Sequence, residues 1–231
     1  MITTVLMDYD GTLHDWDSVI IHSLDGIMSL NGEEFYDTWT FDIHRGLVHT
    51  LYMEKHDDMM FHCKLLFEHL NKPFDREIAD EICRKFENAI KRARDDPIYF
   101  PDAIPALDAL KERNLKICLS TGTGAESKAE TLKRVTGTQY FEHIFSEPSI
   151  GSFKTEPKYY KIALKRANAK PKEAVSIGDT PLSDIRPAKL TGINTIWLNR
   201  RNEPVPLVED QKADHEVENL IKAVRVLDGY I

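Results

Sequence analysis

Cysteine is scarce: the 231 residues include three, Cys63, Cys83 and Cys118, and none forms a Cys-x-x-Cys pair. That pattern suggests neither a disulfide framework nor a zinc knuckle, but three reduced thiols. Long apolar runs are missing as well. No stretch approaches the roughly 18 residues that a membrane-spanning helix needs, and residues 1–8 hold no basic leader ahead of their short apolar run. A cytoplasmic protein without a membrane partner is expected. Glycine and proline number only 11 each, which argues against a low-complexity chain. Positive charge is in deficit, with a net charge of −8. A nucleic-acid partner is therefore not expected, because it would require a basic face. The deficit is local: residues 14–98 hold 18 Asp and Glu against 10 Lys and Arg, while the remainder is balanced at 20 against 20. A solvated acidic surface accounts for it.

With 42% apolar residues, the chain can bury a core the size of one large domain, or of a medium domain with a smaller companion. Residues 2–7 read as a short strand broken by Asp8-Tyr9-Asp10-Gly11. From residue 17 to 96 the pattern is helical, over 18–30, 57–70 and 75–94, with Ile78, Ile82, Phe86 and Ile90 at helical spacing. After Pro101, helices (102–113, 126–135, 156–167, 181–190) alternate with strands (115–119, 143–145, 174–177, 194–198). This βαβ rhythm predicts an α/β fold: a Rossmann-like, three-layer core with a mostly parallel sheet. The core is expected from residues 1–13 and 99–231, with an all-helical domain of residues 14–98 inserted.

Ligands of open α/β sheets bind beyond the carboxyl ends of the strands. Those positions hold Asp8 and Asp10; Ser120, Thr121 and Gly122; Lys154 ahead of a helix; and Gly178, Asp179, Thr180 and Asp184. Asp8 and Asp10, at i and i+2, project to one side. Two like charges about 4 Å apart repel by about 4 kcal/mol at an effective dielectric of 20, so the cluster calls for a cation or protons. Oxygen-only ligands suit Mg²⁺. Asp8 can then attack phosphorus, Asp10 can protonate the leaving alcohol, and Lys154 with Ser120 and Thr121 can hold the phosphoryl oxygens.

Four segments in order carry a family resemblance: Asp8-Tyr9-Asp10-Gly11-Thr12-Leu13, Ser120 after an apolar strand, Lys154-Thr155-Glu156-Pro157, and Gly178-Asp179-Thr180-Pro181-Leu182-Ser183-Asp184. The chain resembles the haloacid dehalogenase-like (HAD) superfamily of hydrolases, across nearly its whole length. The resemblance implies Asp8 as nucleophile and magnesium ligand, and Asp10 as acid/base with its backbone carbonyl on the metal. It implies Asp179 as a further ligand, Asp184 as a ligand or as the group positioning Lys154, and Ser120 and Lys154 on the phosphoryl group. Thr12, Thr121 and Gly122 join the expected substrate contacts. The helical insertion would be a type 1 cap. Because the dehalogenase branch lacks the second aspartate, Asp10 favours a Mg²⁺-dependent phosphatase of a small phosphorylated metabolite, as a monomer or homodimer. The alternatives are a 2-haloacid dehalogenase and a non-catalytic phosphoaspartate or metabolite-binding switch.

Other residues have blander readings. His14 and Trp16 suit packing near the domain junction. His44, His49, His56, His62 and His69 lack metal-motif spacing and suit solvated or capping roles. Arg45 suits the surface, and Cys118 suits the core.

Overall fold

The computed structural model describes residues 1–229. The chain divides into two compact units, Met1–Asp15 together with the chain from Tyr99 onward, and Trp16–Ile98. The first unit contains six strands: β1 Thr4–Met7, β2 Lys116–Thr121, β3 His143–Ser146, β4 Ala174–Gly178, β5 Asn194–Leu198 and β6 His215–Val217. They lie in the order β3-β2-β1-β4-β5-β6, and every pairing is parallel.

Every residue of β1 is buried, as expected of a central parallel strand covered on both faces. Successive side chains point to opposite faces, so Val5 and Met7 enter one apolar layer while Leu6 enters the other. The same alternation sends Ile117 and Leu119 one way and Cys118 the other. Helices Ala103–Glu112, Ala125–Thr136 and Leu220–Leu227 cover the first face with Ala106, Leu107, Leu132 and Val224. Helix Pro157–Arg166 covers the second with Tyr159, Tyr160 and Ala163. The result is an α/β, three-layer core.

The Trp16–Ile98 unit is helical and has its own core of Val19, Ile20, Leu24, Phe35, Trp39, Ile43, Leu66 and Ile82. Its helices start where side-chain acceptors satisfy otherwise unpaired N–H groups: Asn31 in a capping box before Gly32–Asp37, Asp58 before Met59–His69 and Asp75 before Arg76–Asp95. Among the described residues, no helix is long and apolar enough to cross a membrane.

Several local expectations need correction. The helix expected over 18–30 is Trp16–Leu24, because Gly26 turns left-handed at φ 81° before a short 3-10 turn at Ile27–Ser29. The helix expected over 181–190 is a wide π-type turn, Pro181–Ile185, followed by Arg186–Lys189. Pro187 has no N–H to continue an α-helical ladder across that point. Strand β6 and helix Leu220–Leu227 were not anticipated. His-Glu-Val has no apolar run, and pairing with β5 makes it a strand.

Candidate active site

The carboxyl ends of β1, β2 and β4 meet at one edge. Asp8 N–H donates to the Ile177 carbonyl (3.0 Å), which ties the residue after β1 to β4. The chain then doubles back, with Leu13 N–H and His14 N–H both donating to the Tyr9 carbonyl (2.8 and 2.9 Å). Gly11 makes this turn at φ 75°, and a Cβ there would lie 2.8 Å from Asp179 Cγ. Glycine is thus required both by the backbone and by the close approach of a carboxylate. At Gly178 the close approach alone excludes a side chain: an added Cβ would lie 2.2 Å from Asp184 Cγ.

Asp8, Lys154 and Asp184 are buried. Lys154 Nζ stands 2.5 Å from Asp8 Oδ1 and 2.5 Å from Asp184 Oδ1. The lysine backbone is itself fixed, its N–H donating to Glu147 Oε1 (2.8 Å). Asp184 Oδ2 accepts from Thr180 N–H (3.0 Å), and Thr180 Oγ1 donates to Asp179 Oδ2 (3.2 Å). Burial pushes the Asp8 carboxyl above its usual range; Lys154 pulls it back, and Asp184 adds to the rise. Burial also opposes charge on Lys154, but Asp184 and Asp8 outweigh it and hold the ammonium protonated.

One carboxylate oxygen from each of Asp8, Asp179 and Asp184 lies within 4.8 Å of the others. Asp184 Oδ1 is buried without an aligned hydrogen-bond donor. An all-oxygen set of this charge and spacing fits a small hard divalent ion such as Mg²⁺. The side chain of Asp10 does not join this set. Its Oδ2 lies 2.6 Å from Lys128 Nζ and its Oδ1 lies 3.0 Å from His14 Nδ1. Burial would raise the Asp10 pKa, but Lys128 and the His14 hydrogen bond prevail and hold it well below the usual carboxylate range. Protonating a leaving alcohol requires Asp10 to carry a proton, and this pairing opposes that. Asp10 could reach a metal only through its backbone.

The two neighbouring hydroxyls part company. Thr121 Oγ1 accepts from Lys128 Nζ (2.9 Å), which links it to Asp10. Ser120, fully buried, donates instead to the Tyr159 hydroxyl (3.3 Å) in the layer beneath the sheet. The hydroxyl expected on the phosphoryl group is thus engaged with Tyr159 in this structure. Thr12 is also fully buried, its carbonyl accepting from Arg200 Nη2 (2.9 Å). Gly122 stays half-buried at the end of β2, its carbonyl accepting from Glu147 N–H (2.8 Å). Sequence reasoning missed Lys128 and Glu147, and it gave His14 a packing role. Lys128 lies 118 positions from Asp10 in the sequence, and no local spacing signals that meeting.

The family model for haloacid dehalogenase-like hydrolases matches residues 5–198. The phosphoserine phosphatase of Thermus thermophilus is 27% identical over 139 residues, covering 60% of this chain and 54% of that protein. The chain spans about half the length of the first curated relatives it matches. Among solved structures, HAD-hydrolase YfnB of Bacillus subtilis, bound to magnesium, superposes with a TM-score of 0.75 at 17% identity, covering 98% of this chain and 99% of that one. The L-2-haloacid dehalogenase of Xanthobacter autotrophicus gives 0.68 at 20% identity over the whole of both chains. At these identities the likeness shows a common fold. With the fold, the clustered aspartates and a family match over most of the sequence in agreement, the chain belongs to the haloacid dehalogenase-like hydrolase family.

Proposed function

We propose that this chain is a Mg²⁺-assisted phosphomonoester hydrolase acting on a small phosphorylated metabolite through an aspartyl-phosphate on Asp8. The observation that carries the reading is the buried Asp8–Lys154–Asp184 triad with Asp179 beside it. Asp8, Asp179 and Asp184 would hold the ion, which when bound supplies charge for the phosphoryl oxygens. Lys154 and Thr121 neutralise and orient the remaining oxygens. A carboxylate oxygen of Asp8 attacks phosphorus, and the bond to the leaving alkoxide breaks as the acyl phosphate forms. The alkoxide takes a proton through Asp10, which lies between two groups able to deliver one, His14 and Lys128. As a carboxylate, Asp10 is already in the form needed to deprotonate the water that next attacks phosphorus. That attack breaks the bond to Asp8 and releases inorganic phosphate. The helical unit enters the chain directly after this turn, at Trp16, which supports a cap that selects the substrate.

The test is turnover of an aryl phosphate by Asp8→Asn in the presence of Mg²⁺. Hydrolysis should fall to background, and a variant at the wild-type rate overturns the nucleophile assignment. The phosphoserine phosphatase relative and the presence of Asp10 both favour this reading over dehalogenation. Chelator-resistant halide release from a 2-haloacid would reverse that preference.

A further inference from the structure

Four histidines that are scattered in sequence collect at one place inside the helical unit. His44 lies in the π-type helix Thr38–Val48, His49 in the turn after it, His56 at the end of the 3-10 turn Met53–Lys55, and His62 in Met59–His69. Ring centroids are 4.2 Å apart for His44 and His49, 4.9 Å for His49 and His56, and 5.4 Å for His44 and His56. One ring nitrogen from each of these three lies within 4.8 Å of the others. From this arrangement we propose that His44, His49 and His56 form a binding site for a divalent transition-metal ion of the zinc class, separate from the carboxylate site.

The hydrogen bonds set the protons in the pattern such a site needs. His62 Nδ1 can only donate to the Asp58 carbonyl (2.9 Å), so in the neutral ring Nε2 carries a lone pair. That lone pair accepts from His44 Nδ1–H (3.0 Å), leaving His44 Nε2 unprotonated. Anchoring one ring N–H while the other nitrogen keeps its lone pair is how proteins orient metal-binding imidazoles. His62 is itself locked, buried and stacked on Trp39 at 5.5 Å. His49 Nε2 and His56 Nδ1 point at each other 2.9 Å apart. Two nitrogens about 2.0–2.1 Å from a tetrahedral ion stand roughly 3.3 Å apart, so an opening of a few tenths of an ångström, with the bridging proton moved to His56 Nε2 on the side of Asp57, turns this pair into two ligands. His49 Nδ1 is buried with no hydrogen-bond partner. An imidazole binds a metal ion in its neutral form, through the lone pair of its unprotonated nitrogen. His44, His49 and His56 are only half-buried, which leaves an ion a way in. Imidazole donors suit zinc-class ions, whereas Mg²⁺ takes oxygen, so one chain can hold both without competition.

The test is calorimetric titration of the tag-free full chain with Zn²⁺ in excess Mg²⁺. One Zn²⁺ should bind per chain. His44→Ala and His49→Ala should each weaken binding at least about tenfold, as should His62→Ala through its hold on His44. His69→Ala, at a histidine paired with Asp42 away from the cluster, should leave binding unchanged. Loss in His69→Ala equal to that in His49→Ala overturns the site, as does Zn²⁺ binding unaffected by removing both His44 and His49. Co²⁺ added to the wild-type chain provides a readout independent of any variant's folding. An intense tetrahedral visible spectrum is expected, and a weak octahedral spectrum or none refutes three-imidazole coordination.

Discussion

Replacing Lys154 with methionine, which keeps the length of the side chain and removes its charge, leaves Asp8 and Asp184 facing each other in a buried site. At 2.5 Å and an effective dielectric near 20, each ion pair is worth about 7 kcal/mol of Coulomb energy, most of it offset by desolvation. Removing one partner of such a buried group costs about 3–5 kcal/mol, because the carboxylates keep the desolvation penalty without the cation. In a chain of this size that is a fall in Tm of roughly 6–20 °C. The loss has a ceiling set by pH, since a carboxyl can take up a proton instead. From an unfolded value of 3.8, protonating Asp8 costs about 6 kcal/mol near pH 8 but only about 1.6 kcal/mol near pH 5. The sign follows from the direction of the shift. Burial already holds the Asp8 pKa above its unfolded value, so its contribution to stability is fully present below that value and is lost as pH rises through the folded pKa. Without Lys154 the folded pKa climbs further and the loss steepens. Scanning calorimetry in metal-free buffer should therefore show a large destabilisation near pH 8 that shrinks to about 1–2 kcal/mol near pH 5. Equal destabilisation at both pH values, or a variant that melts with the wild type near pH 8, refutes Lys154 as the counter-ion of this pair.

Three further outcomes follow from the same geometry. Asp10→Asn should cost about 10²–10⁴ in rate for poor leaving groups and far less for good ones, and equal losses would remove its role as an acid. Lys128→Met takes away the main charge holding the Asp10 pKa down, so the Asp10 carboxyl resonance, followed by NMR in metal-free protein, should titrate at higher pH than in the wild type. An unmoved titration would show that Lys128 does not control it. Gly178→Ala places a methyl group 2.2 Å from Asp184 Cγ, which should cost about 1–3 kcal/mol of stability and weaken Mg²⁺ binding in a calorimetric titration. Unchanged affinity would place Asp184 outside the metal site.

The α/β core was legible because its signals are local. A buried parallel strand must read as an apolar run, as Thr4–Met7 and Ala174–Gly178 do, and a helix covering it must repeat its apolar face, as Ala103, Ala106, Leu107 and Leu110 do. The carboxylates were legible for the same reason: each sits at the end of such a strand or in the turn after it, and parallel strands bring those ends to one edge. Strand β6 was not legible, since three residues of mixed polarity become a strand only by pairing with β5. The separate partners of Ser120 and Thr121 were closed to sequence for a related reason. Adjacent hydroxyls at a strand end face opposite ways, and which one meets Lys128 and which meets Tyr159 depends on helices packed against the two faces.

By itself, then, the sequence determined the alternation of strands and helices and the acidic residues after β1 and β4, because these follow from local hydrophobic period and turn chemistry. Only the tertiary structure decided that Lys154 bridges Asp8 and Asp184, that Lys128 and His14 hold Asp10 as a carboxylate, and that four dispersed histidines share one place. Charge pairing and proton placement depend on distances of a few ångströms between groups up to 146 residues apart, and no local pattern encodes those distances.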